Sequence, residues 1–570
     1  MRKLILLVAL AAIAVLAPAG AASAQRDGSP DDPRAKSFVK EVSVDRVERH
    51  QQRLQEIATA NGGTRDIYSP GYTGSLNYVV RVLRNAGYDP EITPFNFPFW
   101  EETAPPVLNQ VTPTAKNYVP GDPSTSDTPG VDFISMPGSP SVSLDNVRVV
   151  PAGGIVIPSP GGTESGCVAE DYPDEVAGAV ALVQRGTCSF VQKWELAQDA
   201  GAVGVIIFNE GNAPDRQNAL FIDNQLADAT APAVIASFAV GQELYNAYQA
   251  GQNPTVDFQT FGTFTDRFFD QVVAETPKGD PDNVVVVGAH LDSVPEGPGI
   301  NDDGSGTALL LTMAQRLARP GHPLKQKIRF GWWGAEEEGL VGSNYYAANL
   351  SDDEVSKIDV MLDYDMLSSP NYARLVYDGD GSEGDNPAGP DGSGTVEEVF
   401  REWFASKRQP VVGIPFDGRS DYVGFTERGI PAGGVFAGAE GVKTENQERI
   451  FGGDAGSWYD PCYHQACDDI TTVLTGVPPL EAEGLAVDIE DATDIDKAVA
   501  AQKMRGGARR SMVELGAAAT YATWYFSSVR DPFGTGAMTA SIARATATKA
   551  AKKRARNAHY RFDGHKRLNR

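Results

Sequence analysis

Histidine and cysteine are scarce in this chain, which has six histidines and four cysteines among its 570 residues. Because histidines are so few, their positions are informative. Two of the six, His290 and His464, lie within short clusters that also contain carboxylate side chains. Imidazole and carboxylate groups together are common ligands of divalent metals, so these clusters are candidate metal sites.

Basic residues are also under-represented, with 49 Lys and Arg against 75 Asp and Glu and a formal net charge of −26. Contacts with phosphates need clustered cations, so we exclude nucleic acid as the main partner. The exception is the C-terminal segment, where residues 541–570 contain ten Lys or Arg and one acid, Asp563. We expect residues 531–570 to be a basic, disordered tail that is solvated or trimmed, with contact to an anionic surface as the alternative.

After its first residues the sequence lacks an apolar run long enough to cross a bilayer. The run from Leu4 to Leu16 is itself too short. It follows Arg2-Lys3 and precedes Ala22-Ser23-Ala24, which is the pattern of a secretory signal cleaved after Ala24. We therefore expect residues 1–24 to be a signal peptide, and the mature protein to be extracellular and without a membrane span.

An extracellular location favours disulfide bonds among the four cysteines. The pairings nearest in sequence are Cys167 with Cys188 and Cys462 with Cys467, although four cysteines permit three connectivities. The alternative is a zinc knuckle formed by Cys462, His464 and Cys467. It is disfavoured because a second close cysteine pair is missing and the compartment is oxidising.

The apolar pattern predicts a small unit inserted into a larger one. Residues 25–36 are polar and rich in Asp and Pro, and we expect them to be disordered. A helical and then strand-like pattern follows over 37–105, before Pro, Thr, Ser and Asp mark a boundary. Short apolar runs then predict a strand-rich insert over 106–263. The runs are Ile155-Val156-Ile157, Ala179 to Val183, Val203 to Phe208 and Val234-Ile235.

An α/β pattern resumes over residues 264–530. Four consecutive valines, Val284 to Val287, predict a strand buried on both faces of a parallel sheet. A helix is predicted over 304–317. Further strands are predicted over 327–333 and 358–362, and a closing helix over 511–526. The acidic segment 477–510 carries little periodic pattern and is expected to be a connection.

Metal-binding residue types follow three of these predicted strands, and the carboxyl ends of strands are where open α/β sheets bind ligands. Each cluster alone is ordinary, since Asn, Asp and Gly also form turns and helix caps. Together they match a pair of zinc ions about 3.5–4 Å apart, which needs about one histidine per ion and a shared carboxylate. The clusters are His290-Leu291-Asp292, Asn301-Asp302-Asp303-Gly304, Glu336-Glu337-Glu338, Asp363-Tyr364-Asp365 and Cys462-Tyr463-His464.

Several stretches resemble the secreted bacterial two-zinc aminopeptidases of leucine type, in the wider family of glutamate carboxypeptidase and the transferrin receptor. The resemblance covers residues 40–105 and 265–475. Between them, the region with Cys167 and residues 180–186 and 201–209 resembles a protease-associated (PA) domain. The stretches are Gly288 to Ser293, Gly299 to Gly306, Trp332 to Glu337, Asp363 to Met366, Gly418 to Asp421 and Cys462 to His464.

The resemblance implies a fold and a metal centre. The fold is an α/β zinc-peptidase domain of three αβα layers with a mixed, mainly parallel sheet, interrupted by the PA domain. Asp302 would bridge two Zn²⁺ ions, with His290 and Asp365 completing one site and Glu337 and His464 the other. Calcium accompanies some relatives, but no residue pattern here assigns it a site.

The same resemblance implies the roles of the remaining site residues. Glu336 would be the general base and Asp292 would orient His290. Tyr463 would polarise the scissile carbonyl, Arg419 would contact the substrate, and Phe436 would line the pocket for the first side chain.

The expected function is hydrolysis of the N-terminal peptide bond of peptides with a free N-terminus, with a preference for apolar N-terminal residues. The alternatives are a carboxypeptidase or a glutaminyl cyclase on the same fold, or an inactive binding protein. A cyclase is expected to use one zinc, and a carboxypeptidase needs cationic groups that Arg419 alone does not supply. A serine hydrolase is disfavoured because the sequence has no Gly-x-Ser-x-Gly motif.

Overall fold

The structure, a computed structural model, describes residues 28–122, 128–157, 159–213, 216–220, 229–383, 387–489 and 492–533. The predicted signal peptide and all but the first three residues of the predicted tail lie outside this range. In the described part of the chain, none of the helices combines the length and apolar character needed to span a bilayer.

The described residues form α-helices, β-strands and two short 3₁₀ turns, at Ala169–Asp171 and Asp174–Val176. The helices are α1 (Pro33–Glu41), α2 (Val44–Ala60), α3 (Pro70–Ala86), α4 (Phe190–Asp199), α5 (Phe238–Gln249), α6 (Gly304–Leu317), α7 (Val341–Asn349), α8 (Asp352–Lys357), α9 (Ser393–Ser406), α10 (Val423–Glu427), α11 (Glu445–Phe451), α12 (Ile470–Thr475), α13 (Asp494–Met504) and α14 (Gly507–Ser528). The strands are β1 (Glu91–Glu102), β2 (Val107–Thr112), β3 (Lys116–Asn117), β4 (Phe133–Ser135), β5 (Val142–Pro151), β6 (Val180–Gln184), β7 (Gly204–Phe208), β8 (Ala233–Ala236), β9 (Thr255–Thr260), β10 (Gly262–Glu275), β11 (Asp280–His290), β12 (Gln326–Trp333), β13 (Ile358–Asp363), β14 (Leu375–Tyr377), β15 (Val412–Ile414) and β16 (Ala432–Phe436).

The larger unit is built on a sheet of strand order β1-β10-β12-β11-β13-β16-β14-β15. Its centre is parallel, because β11 pairs in parallel with both β12 and β13, and β13 with β16. The β1 and β10 strands extend one edge in antiparallel pairing. The sheet is therefore mixed and mainly parallel, as predicted.

The four valines of β11 are buried on both faces of the sheet, as the sequence predicted. Val285 and Val287 pack into the core formed with α3, α6, α9 and α14. Val284 and Val286 pack into a second core with α7, α8 and α10 on the opposite face. Two helical layers thus enclose the sheet, and the three-layer prediction is confirmed. The α6 helix has the predicted bounds.

The smaller unit has its own sheet, of order β3-β2-β9-β5-β6-β7-β8-β4. Its strands β6 and β7 are buried throughout, and Trp194 of α4 is fully buried against them. The long antiparallel pair β1 and β10 leads into and out of this unit. The predicted apolar run at residues 155–157 is not a strand, because Gly153 and Gly154 form a turn directly after β5 and the chain leaves the sheet there.

Both disulfide pairings nearest in sequence are present. Cys167 bonds with Cys188, and Cys462 bonds with Cys467. The disulfide prediction is confirmed, and the zinc-knuckle alternative is wrong because both of its cysteines are consumed in a bond to each other.

Two segments are more ordered than the sequence predicted. Residues 28–36 are not a disordered lead-in, because α1 begins at Pro33 and packs against α14. The Tyr521 hydroxyl donates a hydrogen bond to the Gly28 carbonyl at 2.7 Å. The expected connection 477–510 contains α13, whose N-terminus is capped by the Thr493 side chain.

The packing of α1 predicts a stability effect at Phe38, which is fully buried. Phe38→Ala should lower the free energy of unfolding by about 3–5 kcal/mol, because it leaves a cavity in the core. Ser37→Ala, on the exposed face of the same helix, should change it by less than about 0.5 kcal/mol. Denaturant unfolding monitored by circular dichroism would measure both. Equal effects would mean that α1 does not pack on the domain.

Candidate active site

Three adjacent parallel strands bring the candidate residues to one edge of the sheet. The β11 strand ends at His290, β12 ends three residues before Glu336, and β13 ends two residues before Asp365. Because β11 lies between β12 and β13, these three side chains lie close together. His464 reaches the same edge from the short loop closed by the Cys462–Cys467 disulfide.

The Asp302 carboxylate lies between the two imidazoles. Its Oδ1 is 3.1 Å from Nε2 of His290, and its Oδ2 is 3.3 Å from Nε2 of His464. Asp365 Oδ1 lies 3.6 Å from Nε2 of His290, and Glu337 Oε2 lies 3.0 Å from Nε2 of His464. The structure thus brings the five predicted ligands into two groups that share Asp302.

The donor atoms of this cluster fit a pair of divalent metal ions. Among the described residues, Oε1 of Glu337 and Oδ1 of Asp365 are buried without a hydrogen-bond partner. Two imidazole nitrogens and several carboxylate oxygens converge on the same space, which suits zinc, and cobalt or manganese also. A cluster of buried acids without cations would be unfavourable, so the donor set itself calls for bound cations.

The electrostatics of the cluster reflect this crowding. Burial lowers the pKa of His464, but Glu337 and Asp302 outweigh burial and raise it to about 10. Burial raises the pKa of Asp302, yet the two imidazoles hold it well below its usual range. Burial raises the pKa of Glu336 well above its ordinary value. The charge of His290 opposes this effect, and the neighbouring carboxylates add to it.

Glu336 lies beside the shared carboxylate and outside the two ligand groups. Its side chain is almost completely buried, and its Oε2 is 3.9 Å from Nε2 of His290. Glu336 therefore lies next to the space between the candidate ligands, too far from the His290 imidazole for a hydrogen bond with it. A carboxylate in this place is suited to exchange a proton with a group held between the ligands.

Asp292 does not make the predicted hydrogen bond to His290. Its Oδ1 is 3.7 Å from Nδ1 of His290, which is too long for a hydrogen bond. Instead its two oxygens accept the backbone N–H groups of Glu336 and Glu337, each at 3.2 Å. Asp292 therefore fixes the path of the chain that carries these two carboxylates.

Tyr463 and Arg419 form a linked pair at the rim of the site. The Tyr463 ring stacks on the His464 ring with centroids 3.8 Å apart. Arg419 Nη2 donates to the Tyr463 hydroxyl oxygen at 3.2 Å, and its Nη1 donates to Oε1 of Glu440 at 2.7 Å. The predicted substrate-contact residue is thus held by two protein groups, of which Glu440 was not predicted.

A small open cleft adjoins the cluster. Phe436, at the end of β16, is one of its lining residues. The other apolar lining residues are Met366, Tyr377, Ile414 and Ala439, and the charged ones include Asp417 and Arg419. The cleft therefore has an apolar wall facing the carboxylate cluster.

Asp303 and Asp468, which sequence reasoning did not assign, form a frame around Asp302. Asp303 Oδ2 accepts a hydrogen bond from the backbone N–H of His290 at 3.2 Å. Its Oδ1 accepts the backbone N–H groups of Gly306 and Met366 at 2.8 and 3.2 Å. Asp303 also lies within ligand reach of His290 and Asp365. We assign it to the frame because both of its oxygens accept backbone hydrogen bonds.

Asp468 holds the main chain of residues 301 and 302 from the other side of Asp302. Its carboxylate accepts the backbone N–H groups of Asn301 at 2.7 Å and Asp302 at 2.9 Å. The Asn301 side chain in turn donates to Asp460 at 2.6 Å and accepts from the Ser368 N–H at 2.7 Å. The position of Asp468 directly after Cys467 was the one sequence signal that could have identified it.

A second acidic group, Asp378, Asp380 and Glu397, lies elsewhere on the molecule. The Asp378 oxygens accept the N–H groups of Ser382 and Glu383 at 3.0 and 2.9 Å. Glu397 forms an ion pair with Arg401. These side chains are already engaged, so the group does not identify a calcium site.

Comparison with known proteins agrees with this site. The sequence model of the family described as "Peptidase family M28" matches residues 271–477, and the model of the PA domain matches residues 148–244. An aminopeptidase of Pseudomonas aeruginosa is 40% identical over 446 residues, which are 78% of this chain and 80% of that protein. The chain belongs to peptidase family M28.

Two further curated relatives of this M28 peptidase span similar shares. A "probable leucine aminopeptidase 2" of Aspergillus fumigatus is 37% identical over 74% of this chain and 78% of its own length. A "probable lipoprotein aminopeptidase LpqL" of Mycobacterium tuberculosis is 36% identical over 78% of this chain and 84% of its own length. These matches extend across both units of the chain.

Solved structures show the same fold. An aminopeptidase from Aneurinibacillus sp. strain AM-1 superposes with a TM-score of 0.55 at 22% identity, covering 85% of this chain and 95% of the other. BSAP, a zinc aminopeptidase from Bacillus subtilis, superposes with a TM-score of 0.53 at 21% identity, covering 84% and 95%. The M28 peptidase therefore shares its architecture with these enzymes.

The hydrogen bonds from the backbone of Asn301 and Asp302 to Asp468 predict that Asp468→Asn affects metal binding. Asparagine offers one acceptor oxygen and turns an amide N–H₂ group against a backbone donor, so one hydrogen bond is lost. We expect zinc affinity to fall about 10- to 100-fold, as for other residues that orient ligands. Zinc titration with a chromophoric competitor would measure it.

The neighbouring Asp469 provides the control for this variant. It caps α12 through its side chain, and asparagine is an equally good cap. Asp469→Asn should therefore bind zinc like the wild type. If both variants bind zinc equally well, the hydrogen bonds to Asp468 do not shape the site.

Proposed function

We propose that this M28 peptidase is a secreted zinc aminopeptidase that removes N-terminal residues from peptides through a two-zinc centre. The observation that carries the proposal is the Asp302 carboxylate, with one oxygen 3.1 Å from the His290 imidazole and the other 3.3 Å from the His464 imidazole. A shared carboxylate between two histidines is the arrangement that holds two metal ions close together.

His290 and Asp365 would hold one zinc ion, Glu337 and His464 the other, and Asp302 both. Zinc ions bound there would polarise the scissile carbonyl and lower the pKa of a water molecule towards 7, from its value of about 15.7. The residues around this centre then have to move one proton and stabilise one developing negative charge.

Glu336 is placed to move the proton. It is buried beside His290, and its backbone N–H is held by Asp292. As general base it takes the proton of the attacking water, and as general acid it passes that proton to the leaving amine. Burial and the surrounding acids raise its pKa, which makes the carboxylate a stronger base.

Tyr463 is placed to stabilise the developing oxyanion. Its hydroxyl oxygen accepts a hydrogen bond from Arg419, so its own proton is available to a substrate oxygen. Burial raises the pKa of Tyr463 well above its usual value, which keeps the phenol protonated. A preorganised donor of this kind is worth about 3–4 kcal/mol of transition-state stabilisation.

The charge of the cleft favours a free α-amine over a free carboxylate. An α-amine with a pKa of about 7.7–8.0 is largely cationic at neutral pH, and carboxylates such as Glu336 and Asp365 can hold it. Arg419 is the one Lys or Arg among the described lining residues, and it is paired with Glu440. These contacts favour an aminopeptidase over a carboxypeptidase.

Two complete ligand groups also favour this function over a glutaminyl cyclase with a single zinc. The presence of every predicted ligand and of Glu336 favours an enzyme over an inactive binding protein. Export is supported by the N-terminal sequence pattern and by two disulfide bonds, which persist in oxidising compartments.

The proposal predicts that wild-type protein hydrolyses leucine p-nitroanilide and carries about two zinc ions per chain. It should leave N-acetyl-leucine p-nitroanilide intact, because the blocked amine has no charge to hold. Glu336→Ala should keep its zinc and lose about 10²- to 10⁴-fold in kcat, the contribution of a positioned base. Activity assays and zinc analysis of both proteins would check this.

Glu338→Ala provides the matched control, because Glu338 belongs to the same run of three acids and lies outside both ligand groups. It should retain both zinc content and most of the activity. An inactive wild type with two bound zinc ions would contradict the aminopeptidase proposal and favour a binding protein. Cleavage of the N-blocked substrate would exclude recognition of a free amine.

The apolar wall of the cleft predicts a preference that depends on Phe436. Phe436→Ala should lower kcat/KM for leucine p-nitroanilide about 10- to 200-fold, because a hydrophobic pocket discriminates by about 1–3 kcal/mol. The loss for alanine p-nitroanilide should be smaller, since its side chain fills little of the pocket. An equal loss for both substrates would show that Phe436 does not contact the first side chain.

A further inference from the structure

Arg65 is a fully buried arginine that has no carboxylate partner within ion-pair distance among the described residues. It lies between α2 and α3, outside both helices. Taking a guanidinium out of water costs several kcal/mol unless its charge and its N–H groups are compensated. Its position therefore requires a specific set of contacts.

Those contacts are three backbone carbonyls of one short connection, residues 291–299. The Arg65 Nε donates to the Pro298 carbonyl at 2.7 Å, Nη2 donates to the Gly299 carbonyl at 2.5 Å, and Nη1 donates to the Leu291 carbonyl. This connection runs from the end of β11 towards the bridging carboxylate. One side chain thus holds both ends of the segment between two of the proposed ligands.

The main-chain N–H of Arg65 and the side chain of Thr64 form hydrogen bonds with the same connection. The N–H of Arg65 donates to Ser293 Oγ at 3.0 Å, and Thr64 Oγ1 donates to the Val294 carbonyl at 2.9 Å. Residues 64 and 65 are therefore held to the connection by at least five hydrogen bonds, through both side chain and main chain.

The fit around Gly299 is close. Gly299 has φ +58, and a Cβ there would lie 2.2 Å from the Asp302 carbonyl oxygen and 3.1 Å from Arg65 Nη2. The Gly299 carbonyl also accepts the N–H of Gly304, the first residue of α6, at 3.0 Å. The guanidinium, the connection and the start of α6 thus form one packed unit around Asp302.

Four aspartates surround Arg65 at longer range. Burial lowers its pKa, and the charges of Asp292, Asp468, Asp303 and Asp302 oppose that effect. The guanidinium therefore places a fixed positive charge behind the carboxylate cluster without touching a ligand atom. In a low-dielectric interior such a charge offsets part of the repulsion between the acids.

We propose that Arg65 is a positioning residue of the metal centre, which fixes the spacing of His290 and Asp302 and offsets the charge of the surrounding carboxylates. The inference rests on the proposed function, because it takes these two residues to be metal ligands. Lysine is not an equivalent replacement, because a single ammonium cannot reach three carbonyls with the geometry of a planar fork.

The test compares wild type, Arg65→Lys and Arg65→Met after zinc is replaced by cobalt, whose visible absorption reports ligand geometry without any need for activity. Both variants should change the cobalt spectrum and weaken cobalt affinity about 10- to 100-fold. Arg65→Lys should retain more affinity than Arg65→Met, because it keeps the charge. In turnover, kcat should fall more than KM rises.

Arg374→Met is the control for loss of a buried arginine. Arg374 is paired with Glu514 at 2.6 Å, so this variant should lose stability while its cobalt spectrum stays that of the wild type. Ser293→Ala is a milder change at the same connection, and it should shift the spectrum in the same direction even if the Arg65 variants do not fold.

The outcomes separate the two proposals. If the Arg65 and Ser293 variants keep the wild-type spectrum and affinity and differ only in melting temperature, Arg65 is a structural residue and the inference is overturned. If the spectra change as expected but no protein cleaves leucine p-nitroanilide, the positioning role stands and the aminopeptidase proposal fails. If wild type binds no cobalt, both are overturned.

Discussion

The constraint on which the site depends is the burial of several like charges at one edge of the sheet. Glu336 and Asp302 are only 2% and 5% exposed, and Asp363 is 1% exposed. Buried carboxylates repel each other unless protons, cations or hydrogen-bond donors offset their charge. Burial and the adjacent Asp365 accordingly raise the pKa of Asp363 to about 7. The surrounding backbone is arranged to tolerate this repulsion.

Backbone N–H groups provide much of that tolerance. Asp292, Asp303 and Asp468 each accept at least two of them, and the donors belong to the segments that carry the proposed ligands. Because these donors are fixed in the main chain, the hydrogen bonds that solvate the negative charge also set the position of each segment. Charge compensation and positioning are therefore the same interaction in this site.

The sequence predicted the sheet edge because strand ends and metal-binding residue types are both local patterns. The residues of β11, α6, β12 and β13 follow from apolar periodicity. The candidate ligands other than His464 lie at or within a few residues of the ends of these elements. The Arg65 contacts could not be predicted, because a backbone carbonyl has no residue-specific pattern and Leu291 lies 226 residues away. The start of α1 was missed because residues 28–36 are polar and rich in Asp and Pro. Asp32 caps this helix ahead of Pro33, and the helix packs on α14.

The frame also has to act before any cation is bound. Without cations, the repulsion among the carboxylates opposes folding, and metal binding relieves it, so binding and stability are coupled. A frame made of ligand residues alone would spread under that repulsion. Asp303, Asp468 and Arg65 hold the ligand segments from outside the ligand set, through main-chain atoms that metal binding does not use. These contacts would therefore oppose spreading of the carboxylates whether or not cations are bound.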